Sequence, residues 1–180
     1  MPKASGHPAR AGGGGVEPAL RAGRTIYGRG EDESGLYFIM EGAAGLFGGY
    51  TAPSGARREA VRLVGPWELF GHPVFGGRLR WNSAEAFTDC EVVKAPQLFL
   101  ERTIRRREKV ALGMVTTLEL ALVDQEETLG CLLPRKTEAR LARLVPILLG
   151  RFCERDPDGR PRVGLRLTRL DLGAMIGTTR

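Results

Sequence analysis

Between residues 24 and 95 apolar and polar side chains alternate in short runs. Seven segments fit half-buried strands: 25–27, 36–40, 45–50, 59–64, 67–70, 83–87 and 90–94. Turn residues punctuate them. "RGEDESG" and "TAPSGARRE" predict hairpin loops, and "GPWELFGHP" and "FGGR" predict tight turns. Strands this short and this closely spaced predict a sandwich or jelly roll. Gly28, Gly30, Gly35, Gly42, Gly65 and Gly71 stand where corners call for a left-handed backbone.

At Pro96 the alternation stops and a helical period takes over. A short, strongly basic helix is predicted up to Arg107, carrying Arg102, Arg105, Arg106 and Arg107, with Lys109 just beyond. At that spacing the charges spread round the axis, which fits a solvated surface helix. A longer helix is predicted over 108–132. Along it Val115, Leu118, Leu122, Gln125, Leu129 and Leu132 recur at intervals of 3, 4, 3, 4 and 3, a heptad seam. One polar residue, Gln125, within an apolar seam fits a two-helix interface.

Pro134 breaks the chain. A further helix follows with Leu141, Leu144, Val145, Leu148 and Phe152 on one face, and Pro146 inside it predicts a kink. "DPDGRPR" predicts a turn and "VGLRLT" a short strand. In the last segment, Thr168 can cap a helix whose third position is Asp171, a short form of the capping box. Leu172, Met175 and Ile176 form its apolar face, and Gly177 ends it in a left-handed turn. Thr178 or Thr179 would cap a second helix as the sequence stops at Arg180. Helix, glycine turn and capped helix predict a helix-turn-helix, whose second helix enters the major groove of DNA. Arg169 would meet phosphate, and Arg180 would begin the base-reading surface. Because that second helix is cut short, a fragment of a longer protein is expected.

Composition narrows the partner. The 180 residues carry a formal charge of +6, which suits a polyanion such as nucleic acid. Residues 1–22, rich in Gly, Pro and Ala, read as a disordered tail. No run is long and apolar enough to span a bilayer and no signal-peptide core opens the chain, so a cytoplasmic protein without a membrane partner is expected. The three cysteines, Cys90, Cys131 and Cys153, are widely spaced and form no C-x-x-C pair, and only two histidines, His7 and His72, occur. No metal site is expected from them. Paired carboxylates, a Ser-His-Asp arrangement and a phosphate loop are all missing, so no catalysis is assigned. An alternative of another class is a metal-dependent cupin-type enzyme on a jelly roll, though such sites usually need several histidines.

The order of modules resembles the cyclic-AMP receptor/FNR superfamily of bacterial transcription regulators. "GRTIYGRG…GLYFIMEG" resembles the family's opening strands, "GPWELFG" its Gly-Asp-x-x-Gly stretch, and "LTRLDLGAMIGTTR" its helix-turn-helix. The likeness runs from about residue 23 to 180. It implies an α+β chain: a double-stranded β-helix (jelly-roll, cyclic-nucleotide-binding-like) over 23–107, a dimerisation helix over 108–133, and an incomplete winged helix-turn-helix DNA-binding domain over 134–180. It also implies a homodimer on a palindromic operator, with RNA polymerase as a further partner. The interface would be Val115, Leu118, Leu122, Gln125 and Leu129, and the DNA side Thr168, Arg169, Thr178, Thr179 and Arg180.

The effector follows from the same resemblance. The family's cyclic-nucleotide cassette is Gly-Glu-Leu followed by Arg-Ser or Arg-Thr. Here Gly71-His72-Pro73 and Arg80-Trp81 stand instead, so the glutamate and the hydroxyl are absent and cyclic AMP is not expected. "AFTDCEVVKAP" over 86–96, "RLARLVPIL" over 140–148 and the "IGTTR" ending resemble the cyanobacterial nitrogen regulators of the family, which bind 2-oxoglutarate. Transferred residue by residue, the effector set is Phe70, Gly71, His72, Arg80 and Glu126, with Ala121 where a second arginine is expected. A dianion facing one arginine loses one charge-assisted pair. Nitrogen regulation through 2-oxoglutarate or another small anion is therefore the leading expectation, with an effector-independent or cyclic-nucleotide-responsive regulator as the alternative. An FNR-like iron-sulfur cluster lacks its cysteines, and His72 alone is a poor haem ligand.

Overall fold

A computed structural model describes residues 15–31, 35–48, 60–71 and 80–178 of the chain. Among these residues, ten strands and four helices follow one another: β1 (Gly15–Leu20), β2 (Thr25–Tyr27), β3 (Gly35–Glu41), β4 (Ala44–Gly48), β5 (Ala60–Val64), β6 (Leu69–Phe70), β7 (Asn82–Ala86), β8 (Cys90–Pro96), α1 (Gln97–Arg106), α2 (Glu108–Leu132), α3 (Thr137–Phe152), β9 (Cys153–Arg155), β10 (Pro161–Val163) and α4 (Arg169–Met175).

Alternation along β3 explains how the roll closes. Tyr37 and Ile39 point inward and are essentially inaccessible, while Leu36 turns to the other face and packs on Leu100 of α1. Two antiparallel four-stranded sheets, β1-β8-β3-β6 and β2-β7-β4-β5, enclose a core of Tyr27, Tyr37, Ile39, Val64, Phe70 and Val92. Each such side chain contributes roughly 1.5–3 kcal/mol by leaving water. Leu36 and Leu100, with Ile104 of α1 and Met114 of α2, seat the first two helices against the roll. Arg102, Arg105, Arg106, Arg107 and Lys109 are exposed, as a solvated helix requires.

A second core joins the roll to the C-terminal helices. Leu63 of β5 and Ala43 pack with Leu144, Leu148 and Phe152 of α3, and with Cys131 and Ile176. Leu172 and Met175 of α4 flank this cluster, and α4 lies against β5. The apolar face expected for α4 is thus covered by α3 and by the roll together.

Several expectations change. The stretch read as a tail contains β1, which pairs with β8. Its Gly and Pro hide it in the sequence, but main-chain pairing with a long strand supplies what the side chains do not. Pro18 falls between Glu17 and Leu20, where the register shifts and a missing amide hydrogen is tolerated. Trp67, expected in a strand, sits in a turn at φ +68°, with Glu68 N–H donating to the Gly65 carbonyl at 3.3 Å. The strand expected over 163–168 ends at Val163; the real hairpin is β9–β10 around "DPDG". Helix α3 runs through Pro146 without a break. Of the six corner glycines, Gly30, Gly42 and Gly71 have positive φ. Gly35 and Gly65 serve close approach instead: a Cβ there would meet the Ala95 carbonyl at 3.0 Å and the Phe152 ring at 2.9 Å. The "FGGR" turn and the Tyr50 end of one strand lie outside the described residues.

Gly23 and Gly42 share φ +81°, but a Cβ at Gly23 meets nothing, whereas at Gly42 it runs into the Asp89 carbonyl. Gly23→Ala is expected to lower stability by about 1–2 kcal/mol for the left-handed backbone alone. Gly42→Ala should lose a further ~1–3 kcal/mol from the clash. Denaturant unfolding of the two variants checks this difference.

Candidate functional site

The arginine expected to hold an anion is deeply buried. Arg80, 3% exposed, precedes β7, and its backbone carbonyl accepts from Gly30 N–H at 2.8 Å. Its guanidinium donates to the carbonyl of Gly71, and through Nη2 to that of Gly35 at 3.3 Å. It also lies 4.1 Å from the ring centre of Tyr27 and 5.3 Å from that of Tyr37. Carbonyl dipoles and ring faces both stabilise a cation taken out of water. Tyr27, Tyr37 and Phe70 pack on one another with ring centres 5.4–6.2 Å apart. Phe70 is therefore part of the roll's core. Gly71, at φ +94°, has no room for a side chain, because a Cβ would come 2.6 Å from the Tyr37 ring.

Tyr27 hydroxyl donates to Asn82 Oδ1 at 3.1 Å. Burial pushes its pKa up to about 12, and the nearby Arg80 charge opposes that only in part. Tyr27, Tyr37 and Asn82 are not legible as site residues, since aromatic and amide side chains in strands read as ordinary core. Of the expected effector residues, Phe70, Gly71 and Arg80 come together. His72 lies outside the described residues. Glu126 is exposed on α2, while Asp124 is the acid that faces the roll. Two residues that far apart on a helix differ by about 200° in direction, so both cannot face one side. The expected helix acid is thus not brought to Arg80 within one chain.

Helix α2 shows its seam to solvent. Val115, Leu118, Leu122 and Leu129 are each more than half exposed, and Gln125 lies with them. Met114, Thr117, Ala121, Asp124, Thr128 and Cys131 form the adjoining, half-covered side, about 110° round the axis. The described residues therefore leave the heptad stripe largely uncovered.

At the C-terminal end, Thr168 and Asp171 form a reciprocal capping box: Asp171 N–H donates to the threonine hydroxyl at 3.2 Å, and Thr168 N–H to Asp171 Oδ2 at 2.8 Å. Arg169 and Leu170 are exposed. Gly177 adopts φ +65°, and Thr178 closes the turn by donating, through both its N–H and its hydroxyl, to the carbonyl of Gly173. Thr178 thus finishes α4. Thr179 and Arg180 lie outside the described residues. Arg140 of α3 bridges the carbonyls of Pro134 at 2.7 Å and Ile176 at 3.0 Å, tying the end of α4 to the end of α2.

Among the described residues no three His, Cys, Asp or Glu side chains gather as a metal site would need, and no helix is long and apolar enough to cross a membrane. The profile of the cyclic nucleotide-binding domain matches residues 17–107, just over half of the chain. A global nitrogen regulator of Synechocystis sp. is 29% identical over 160 residues, covering 87% of this chain and 69% of its own length. One from Synechococcus elongatus is 27% identical, covering 88% and 71%. A CRP-family transcriptional regulator from Thermus thermophilus superposes with a TM-score of 0.72 at 22% identity, over 90% of this chain and 77% of that one. FixK2 from Bradyrhizobium japonicum gives 0.71 at 21%, over 91% and 78%.

Two outcomes are expected from this geometry. Folding keeps Tyr27 protonated between its ordinary value of 10 and about 12. Its contribution to stability is full below pH 10 and is lost as pH rises towards 12. Tyr27→Phe should flatten that alkaline fall in denaturant midpoints; parallel slopes in the two proteins would contradict it. Thr168→Ala removes the α4 cap and should cost about 1 kcal/mol, seen as faster amide exchange in α4.

Proposed function

We propose that this chain, a member of the cyclic nucleotide-binding domain family, is a transcription regulator of the CRP/FNR kind that works as a homodimer on a palindromic DNA site, a reading supported by its likeness to the global nitrogen regulators. The observation that carries this reading is the boxed helix α4 ending at left-handed Gly177. In this reading α4 is the first half of a helix-turn-helix, and Arg169, exposed at its start, would meet phosphate. Thr168, Thr178, Thr179 and Arg180 complete the DNA side in this reading. The α2 seam of Val115, Leu118, Leu122, Gln125 and Leu129 supplies the dimer contact, since an exposed heptad stripe gains most by meeting its own copy. Two-fold pairing places two reading helices about 34 Å apart, one turn of DNA. RNA polymerase is a further partner in this reading.

For the effector, the nitrogen-regulator relatives and Arg80 favour a small dianion of the 2-oxoglutarate kind. Such a ligand must displace the carbonyls of Gly71 and Gly35 from the guanidinium, and in a dimer Glu126 on the exposed side of α2 reaches towards the partner rather than its own roll. A second reading has its own observation. The guanidinium is already held by two carbonyls and stacked on Tyr27, so a regulator that needs no effector fits the same geometry.

Full-length protein should bind duplex DNA with an affinity that falls steeply with salt; binding indifferent to salt, or none, overturns the DNA role. Leu118→Asp combined with Leu122→Asp should shift sedimentation from dimer to monomer and weaken duplex binding; unchanged sedimentation removes the α2 interface. In thermal-shift measurements 2-oxoglutarate should stabilise the protein and cyclic AMP should not. Silence from both selects the effector-independent reading.

A further inference from the structure

Four charged side chains from three separate parts of the sequence meet where the roll touches the C-terminal helices. Arg151 of α3 is their hub. Its Nη2 donates to both carboxylate oxygens of Glu68, at 2.6 and 2.7 Å, and to the carbonyl of Leu63 at 2.7 Å. Its Nη1 stands 3.1 Å from Asp124 of α2. Arg62 of β5 faces the same two acids, at 2.8 Å from Glu68 and 3.4 Å from Asp124. The side chains are 11–26% exposed, and the charges balance two against two. Removing one partner from such a group leaves another charge poorly solvated, so the group holds together or comes apart as a unit.

Glu68 is also three residues from the buried arginine's anchor. Gly71, whose carbonyl receives Arg80, follows it across β6, which is paired to β3 through Phe38↔Leu69 and Tyr37↔Phe70. At about 3.3 Å per residue the two anchors are some 10 Å apart on one stiff, paired segment. Just before Glu68, Trp67 is held at φ +68° by its N–H bond to the Ile39 carbonyl at 2.8 Å. A bulky residue in that region is strained and persists only while its surroundings hold it. The segment is therefore fastened at both ends, through Glu68 to Arg151 and through Gly71 to Arg80.

We propose that residues 67–71 form a lever that couples the Arg80 pocket to α3. When Arg80 lets go of Gly71, β6 shifts, Glu68 unloads Arg151, and α3 loosens from the roll together with α4, which packs beside it. Asp124 gives α2 a hold on the same hub. That a bound anion is the trigger, and that DNA reading is the output, rests on the function proposed above. The coupling itself does not, and neither ligand nor DNA enters its test.

Amide hydrogen exchange on the chain carrying Glu68→Gln, Arg80→Lys, or both reads the coupling. Each single change should speed exchange in α3 by about tenfold, the factor for losing one charge-assisted hydrogen bond. The double variant should exchange no faster in α3 than Glu68→Gln alone, while residues 69–71 still respond to Arg80→Lys. Amides of β8 report global opening and should stay slow. Multiplying factors in α3, an Arg80→Lys effect confined to the roll, or equal acceleration in β8 would each overturn the lever. If Arg80→Lys does not fold, Glu68→Gln decides alone: it should speed exchange at residues 69–71 as well as in α3, and an effect confined to α3 would overturn the lever. A protein that binds no duplex would leave the exchange pattern standing, and a lost pattern would leave duplex binding standing.

Discussion

The burial of Leu63 against Leu144, Leu148 and Phe152 decides the shape of the C-terminal half. Without it the roll would end at its own sheet, and α3 and α4 would have no fixed place. The contact is possible because Gly65 carries no side chain where the Phe152 ring approaches. Ile176, Met175 and Leu172 then fill the remaining space, so the orientation of α4 is set by the same apolar cluster. Hydrophobic burial provides the strength here, and it is non-directional.

Direction comes from the polar groups around it. Arg140 reaches the carbonyls at the ends of α2 and α4, and Arg143 donates to Gly130 at 3.0 Å. Arg151 ties α3 to β5 through the Leu63 carbonyl. Partly buried charges add little net stability against a well-packed apolar alternative, but they penalise every pose in which they are unpaired. Apolar contact and ionic pairing thus divide the labour between how tightly the helices sit and which way they face.

Local features are legible in the sequence and distant ones are not. The period switch at Pro96 predicts α2 over the residues it occupies, because Arg107 adopts an extended conformation and Pro134 follows its end. The Thr168–Asp171 box and the Gly177 turn depend on neighbours within a few residues, so residue types alone reveal them. Strand β1 stays hidden because its signal lies in its partner, β8. Arg80 stands out in the sequence, but its companions Tyr27, Tyr37 and Gly35 come from β2 and β3, far from it along the chain. The Arg62–Glu68–Asp124–Arg151 group is invisible for the same reason: no spacing rule connects positions whose proximity exists only after folding.

The irregular strand β1 has a consequence for how copies of the chain coexist. It forms one rim of its sheet, and the other rim, β6, is two residues long. Pro18 removes a main-chain donor from the first rim and the register shift bends it, so neither border offers a flat template for a stranger's backbone. Along this sheet, association between copies is then left to surfaces made of side chains.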